Sequence, residues 1–151
     1  MCYISVRPGR HSYAILERTR EFVINITTKD LAFSTDWCGV KSGRQHKKFE
    51  EMKLTPGLAS KVKAPTIEEA PINIECKVTQ IIKLGTHDMF MAEVVNVKAD
   101  EAFIDEKTGA FDLEKAQPIA YSHGQYFTLG KRLGKFGFSV EKKKRKKLIK
   151  R

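Results

Sequence analysis

The sequence predicts a mainly β domain with small helices, and three stretches carry that expectation. Cys2, Ile4 and Val6 alternate with Tyr3, Ser5 and Arg7, which is the period of a half-buried strand. Phe22 to Thr28, FVINITT, is rich in β-branched and aromatic residues and reads as a second strand. Ile72 to Leu84 and Met89 to Ala99 are two long strand candidates joined by GTHD, and an antiparallel hairpin is their simplest pairing.

The elements between them follow from local chemistry. Pro8-Gly9 suits a tight turn that ends the first strand, and Ser12 is placed to cap a short helix with Ile15 and Leu16 on its apolar face. Asp30 to Trp37 reads as a short helical or irregular segment. Cys38 to Met52, CGVKSGRQHKKFEEM, offers two glycines in a polar loop, then a basic-to-acidic helical stretch with Phe49 and Met52 on one face. Lys63 to Pro71, KAPTIEEAP, is a proline-bounded connector, and Asp105 to Gly109, DEKTG, is a turn. The last patterned stretch, PIAYSHGQYFTLGKRLGKFGFSV, mixes a strand with a glycine-punctuated basic segment.

Length and charge bound the class. A chain of 151 residues with 41% hydrophobic content supports one cored domain, assigned to residues 1–140. No apolar run is long enough to span a bilayer, and the N-terminus lacks a signal-peptide layout, so a cytoplasmic protein without membrane insertion is expected. The three cysteines, Cys2, Cys38 and Cys76, form no CxxC pair and have no histidine at zinc spacing, so reduced thiols and no metal site are expected. The net charge of +10 is concentrated in the tail 141–151, EKKKRKKLIKR, whose eight basic residues and one acidic residue give +7 and leave +3 on residues 1–140. With no interleaved aromatic residue, the tail reads as a solvated, disordered extension, and nucleic acid is expected to meet the chain only weakly and only there.

One turn stands out for its charge. Arg7 and Arg10 flank Pro8-Gly9 beside a helix start, where unpaired amides carry partial positive charge. The same residues fit an anion site or a solvated turn with its arginines in water. Gly130 to Gly137, GKRLGKFG, has glycines and charge but neither GxGxxG nor GxxxxGKS/T spacing, which argues against dinucleotide and P-loop folds.

The ordered segments MCYISVRPGRHSYAILERTREFVINITT, DWCGVKSGRQHKKFEEMKLTP, APINIECKV, LGTHDMFMAEVVNV and PIAYSHGQYFTLGKRLGKFGFSV resemble the flavin reductase-like proteins of the FMN-binding split-barrel type, nearest to the flavoredoxin group. The resemblance implies a Greek-key antiparallel β-barrel with small helices, a homodimer, and FMN held noncovalently near the dimer interface. Members of that family carry several dozen residues before the position matching Met1, so the chain is expected to be N-terminally incomplete, with one wall of the flavin pocket lacking.

By the same resemblance, Ser5, Arg7, Arg10 and Ser12 sit where the family holds the FMN phosphate. Cys38, Gly39, Ser42, Gly43 and Lys48 match a second flavin-side segment, with Cys38 a buried or flavin-flanking thiol in preference to a nucleophile. His87 lies in the turn that faces the nicotinamide, or it is an exposed turn histidine. His123 and Tyr126 are weaker candidates for the same cleft, while Phe127 and Leu129 are assigned to the core. No catalytic side chain is expected, because the flavin ring carries hydride and electrons itself. Three activities are compatible: an NAD(P)H-dependent flavin reductase, an FMN electron carrier of flavoredoxin type between protein partners, and a basic binding module without flavin.

Overall fold

A computed structural model describes residues 1–141, so the basic tail, apart from Glu141, lies outside the described residues. In chain order the elements are β1 (Cys2–Val6), α1 (His11–Thr19), β2 (Glu21–Asn25), α2 (Ala32–Val40), α3 (Lys48–Glu51), β3 (Pro56–Gly57), β4 (Thr66–Ile67), β5 (Ile72–Lys83), β6 (Asp88–Ala99), α4 (Leu113–Ala116), β7 (Ile119–Ser122) and β8 (Gln125–Thr128). The main sheet runs β1-β6-β5-β2, all antiparallel, and curls into half a barrel. The long β5–β6 hairpin is its centre and the two early strands flank it, so the β1-to-β2 connection through α1 crosses over the hairpin.

Alternation along the strands sorts the two faces. Ile4, Phe90 and Ile81 align across β1, β6 and β5, and Cys2, Ala92 and Val78 form the next row on the same side. Phe90, Cys76 and Ala92 are buried there together with Phe22 and with Tyr13 and Leu16 of α1. Tyr13 meets Phe90 edge-on at 5.4 Å between ring centroids. Cys76, paired with Val94, brings its sulfur to 3.5 Å from that of Cys2. Burial, then the Cys2 hydrogen bond, pushes the Cys76 thiol up to about 12, so it stays protonated at neutral pH.

The opposite side of β5 is polar because a short ribbon, β3 paired with β4, lies over it and needs acceptors. The Ile67 amide donates to the side-chain oxygens of Asn25 and Asn73 at 3.0 and 3.3 Å. The wholly buried Glu75 accepts from the amides of Ser60 and Lys61 at 2.9 and 2.6 Å and from Asn96 Nδ2 at 2.8 Å. Burial alone would raise its pKa, and these donors together more than offset that, leaving the carboxyl below its ordinary value.

Several boundaries depart from the sequence reading. The two hairpin strands end within a residue of expectation, but β2 stops at Asn25, and Thr28 is instead buried in an isolated bridge to Pro118. Helix α1 begins at His11 with an extended Arg10 as its N-cap and no side-chain cap, so Ser12 is a helical residue and not the cap. The reason lies in packing: Tyr13 and Leu16 are the pair that reaches the core, and Ile15 faces outward. Helix α2 runs through Cys38 and Gly39, which the sequence assigns to a loop. The stretch read as one strand near the C-terminus is a hairpin, β7–β8, turning at His123-Gly124 with φ of 49° and 75°. Phe127 and Leu129, expected in the core, are about half exposed because that hairpin pairs only with itself.

Glu75→Ala should free the overlying segment without disturbing α1. Each charge-assisted bond lost is worth about 1.5–3 kcal/mol, so amide exchange at Ser60 and Lys61 should accelerate by roughly tenfold or more, read by hydrogen–deuterium exchange.

Candidate functional site

The N-terminal turn closes through an Arg10 amide to Arg7 carbonyl bond of 3.0 Å, and the Tyr13 amide donates to the Arg10 carbonyl at 3.0 Å. With Tyr13 and Leu16 committed to the core, Arg10, His11, Ser12 and Ile15 are turned outward. The N–H groups of His11 and Ser12 precede the helical ladder and stand at the positive end of α1.

Across from them, α2 ends at Val40 and the chain turns around Ser42, whose carbonyl accepts from the Gln45 and His46 amides at 3.1 Å each. Lys48, at the start of α3, donates from Nζ to the Cys38 carbonyl at 2.5 Å and so ties α3 to the last turn of α2. The two segments enclose a cleft of about 470 Å³. Arg10, Ser12, Cys38, Gly39, Ser42, Gly43 and Lys48 all line it, so seven of the nine residues expected at a flavin meet at one place. Its other walls are His11, Ile15 and Lys41, and no lining residue is acidic. A Cβ on Gly43 would lie 2.9 Å from His11 Cδ2, so a larger residue there would push the His11 imidazole aside.

Burial raises the Cys38 thiol above its ordinary value and the nearby Lys48 offsets this in part, so Cys38 is a neutral wall residue and no ready nucleophile.

Ser5 and Arg7 fall outside the cleft. Ser5 is exposed on β1 opposite Met89. Arg7 turns toward the β5–β6 loop, where its Nε donates to His87 Nε2 at 3.2 Å. A guanidinium only donates, so the acceptor Nε2 is unprotonated and the ring proton sits on Nδ1, 3.1 Å from Thr86 Oγ1. The fold thus joins Arg7 to His87, residues assigned to different ends of the ligand. His123 and Tyr126 also lie off the cleft: His123 is in the β7–β8 turn, and the Tyr126 hydroxyl donates to Asp36 Oδ1 at 3.1 Å. Burial, then the Asp36 carboxylate, raises the Tyr126 pKa and keeps that proton in place.

Beneath both groups sits a cluster that sequence reading missed. Asp88, with a side chain only 3% exposed, accepts from the Tyr13 hydroxyl at 2.5 Å and from Lys83 Nζ at 2.8 Å, and Lys83 also touches the Tyr13 hydroxyl. The cluster pins α1 to the base of the hairpin, one residue from His87. The Lys83 bond first, then the Tyr13 bond, holds the Asp88 carboxyl below its usual range, and the same contacts raise Lys83. A signal was present: register puts position 88 on the same face as Phe90 and Ala92, an apolar row in which a carboxylate requires partners.

A family model, the flavin reductase like domain, matches residues 1–130. The chain belongs to the flavin reductase-like family. An uncharacterized protein of Archaeoglobus fulgidus is 30% identical over 125 residues, covering 83% of this chain and 69% of that protein. The chain spans 55% of the length of a relative from Aquifex aeolicus, with 28% identity, and 54% of one from Pyrococcus abyssi, with 30%. Among solved structures, flavoredoxin of Desulfovibrio vulgaris (Miyazaki F) superposes with a TM-score of 0.82 and 26% identity, over 92% of this chain and 76% of that one. An FMN-binding protein from Thermus thermophilus shares the fold at a TM-score of 0.66 and 24% identity, over 83% of this chain and 67% of that one. Among the described residues, no helix is long and apolar enough to cross a membrane.

The Asp88 cluster makes stability depend on acid pH in a definite direction. A carboxyl whose folded pKa is depressed adds stability above its unfolded pKa, about 4, and loses it as pH falls through the folded value. Asp88→Asn should lower the melting temperature at neutral pH. The difference from wild type should shrink as the pH falls below about 4, measured by thermal unfolding across pH.

Proposed function

We propose that this chain binds FMN by its phosphate in the α1–α2 cleft, and that it passes hydride or electrons from NAD(P)H through the flavin to an acceptor, as an oxidoreductase of the flavin reductase type. The observation that carries the reading is the convergence of two distant segments on a cleft lined by Arg10, Lys41 and Lys48 and by no carboxylate. The fit is chemical as well as electrostatic. A cleft of about 470 Å³ lies in the range of cofactor pockets, and Gly43 lets the loop lie close against the His11 imidazole.

When bound, FMN supplies the hydride and electron chemistry of its ring, and the protein supplies binding and orientation. Arg10 and the amides of His11 and Ser12 face the cleft from the positive end of α1 and suit a phosphate dianion, with the Ser12 hydroxyl as a further donor. Gly39, Ser42 and Gly43 let backbone come close from the other wall, and Ile15 offers an apolar contact. Lys48, engaged with the Cys38 carbonyl, fixes the spacing of that wall. Arg7 holds the His87 imidazole at a defined tautomer beside the hairpin turn, where a nicotinamide donor would meet it. Ser5 lies outside the cleft and adds to the reading only as a neighbour of that turn. Three unbridged cysteines suit a reducing compartment, which favours the cytoplasm.

A second reading, an FMN electron carrier between proteins, is favoured by the similarity to the Desulfovibrio flavoredoxin. Anaerobic mixing of the FMN-loaded chain with NADH or NADPH separates the two, since only the reductase bleaches the flavin absorbance directly.

Loss of one charge-assisted contact is worth about 1.5–3 kcal/mol, so Arg10→Ala should weaken FMN binding by roughly ten- to hundredfold and riboflavin binding far less. Equal loss for both ligands in a fluorescence titration would remove the phosphate from this cleft. His87→Ala should slow flavin bleaching by NAD(P)H while leaving the FMN dissociation constant within about twofold of wild type. Rapid-mixing absorbance checks it, and an unchanged bleaching rate would make His87 a bystander.

A further inference from the structure

We infer that the mouth of the α1–α2 cleft is a docking surface for a small acidic electron-transfer protein. The partner's class rests on the flavin reading of that cleft, the surface on charge alone. Residues 7–12, RPGRHS, and 41–48, KSGRQHKK, hold six basic side chains and no acidic one. The fold sets these two segments against each other across the cleft.

Most of these charges are unspent. Among the described residues, Arg10, Lys41 and Arg44 form no ion pair. The acids that follow at once, Glu50 and Glu51 of α3, are engaged by Lys47 at 3.3 Å and by His46 at 3.1 Å. Arg7 donates to the His87 ring, which leaves its own charge in place. With Glu50 and Glu51 counted, the patch carries a net +4, whereas the rest of residues 1–140 holds 14 basic and 15 acidic side chains. The positive charge of the domain is therefore gathered at one mouth. A bound phosphate contributes about −2, so the mouth stays positive when the cofactor site is filled.

The character of the patch selects the partner. Arg10, Lys41, Arg44 and Lys47 face solvent, and Ile15 and Val40 are the exposed apolar side chains beside them. A surface this polar suits a brief encounter steered by charge, since a permanent interface has a broad apolar core. Electron-transfer encounters are of that brief kind, and complementarity makes the partner acidic. A protein seated on these cations covers the mouth of the cleft, where a flavin held there is reached from outside. Neither segment carries an aromatic side chain on which a base could stack, which argues against single-stranded nucleic acid.

The test is fluorescence anisotropy of a dye-labelled plant-type ferredoxin, a small acidic iron–sulfur protein, titrated with the full chain in the absence of FMN. Binding should be micromolar at low salt and weaken roughly tenfold or more between about 20 and 200 mM salt. Arg44→Glu with Lys47→Glu should weaken low-salt binding roughly tenfold or more. Lys63→Glu with Lys107→Glu, the same change in net charge placed outside both segments, should stay within about threefold of wild type. If circular dichroism shows that the first pair disturbs the fold, Arg44→Gln with Lys47→Gln replaces it, set against Lys63→Gln with Lys107→Gln. Saturating FMN should leave ferredoxin affinity within about threefold, and a labelled DNA strand of about 20 nucleotides should bind wild type and patch variant alike, through the basic tail.

No ferredoxin binding at low salt, equal loss in patch and control variants, loss of binding on adding FMN, or loss of the DNA strand together with ferredoxin would each overturn the inference. Titration with FMN alone reports separately on the flavin reading. A chain that takes ferredoxin through the patch but no FMN keeps the docking surface and retires the flavin; a chain that takes FMN with no patch effect does the reverse.

Discussion

The rest of the structure hangs on one buried carboxylate. Asp88 sits at the start of β6 on the core side, where an unpaired charge would be untenable, and the Tyr13 hydroxyl and Lys83 ammonium make it tenable. Tyr13 belongs to α1 and Lys83 to the far strand of the hairpin, so one side chain fixes a helix against two strands. The helix has no side-chain cap of its own and only nine residues, and its orientation comes from this bond and from the burial of Leu16. Its N-terminus therefore faces away from the core, toward the turn after α2. The next residue back along the chain from Asp88 is His87, held by Arg7 from the start of the same turn that leads into α1.

A second set of constraints shapes the opposite face. Asn25, Asn73 and Glu75 present acceptors where a strand would ordinarily present apolar side chains, and the segment carrying β3 and β4 lies down on them through its amides. The half-barrel thus has an apolar side that grips α1 and a polar side that grips a loop. Both grips work on the ends of the β5–β6 hairpin, which leaves the cleft between α1 and the α2–α3 turn as the opening with basic walls. Its charge is local: the cleft gathers Arg10, Lys41 and Lys48 within a body whose net charge outside the tail is small.

Much of this was legible in the residues. The two long strand candidates, Ile72 to Leu84 and Met89 to Ala99, lie within a residue of β5 and β6, and GTHD marked the turn of their antiparallel hairpin. The family resemblance named the cleft's residues, and seven of them do converge, although local physics alone left the arginine turn open between an anion site and a solvated turn. What escaped was long-range or weakly patterned. Asp88 was read as part of a turn, since a charge beside glycine and histidine looks solvated until its strand register is known. Gly39 looked like a loop residue, yet the helix passes through it because Lys48 satisfies the carbonyl of Cys38. Phe127 and Leu129 looked like core on hydrophobicity alone, and the sequence carries no sign that their hairpin stands clear of the sheet.

The most direct measurement is an amide nitrogen–proton correlation spectrum of the chain titrated with FMN. If the ordering imposed by Asp88 builds a phosphate-holding cleft, the largest shifts fall on His11, Ser12, Gly39, Ser42 and Gly43, with the open turn between Ala102 and Lys115 unmoved. Shifts centred on that turn, or none at the α1 terminus at saturating FMN, would contradict the account.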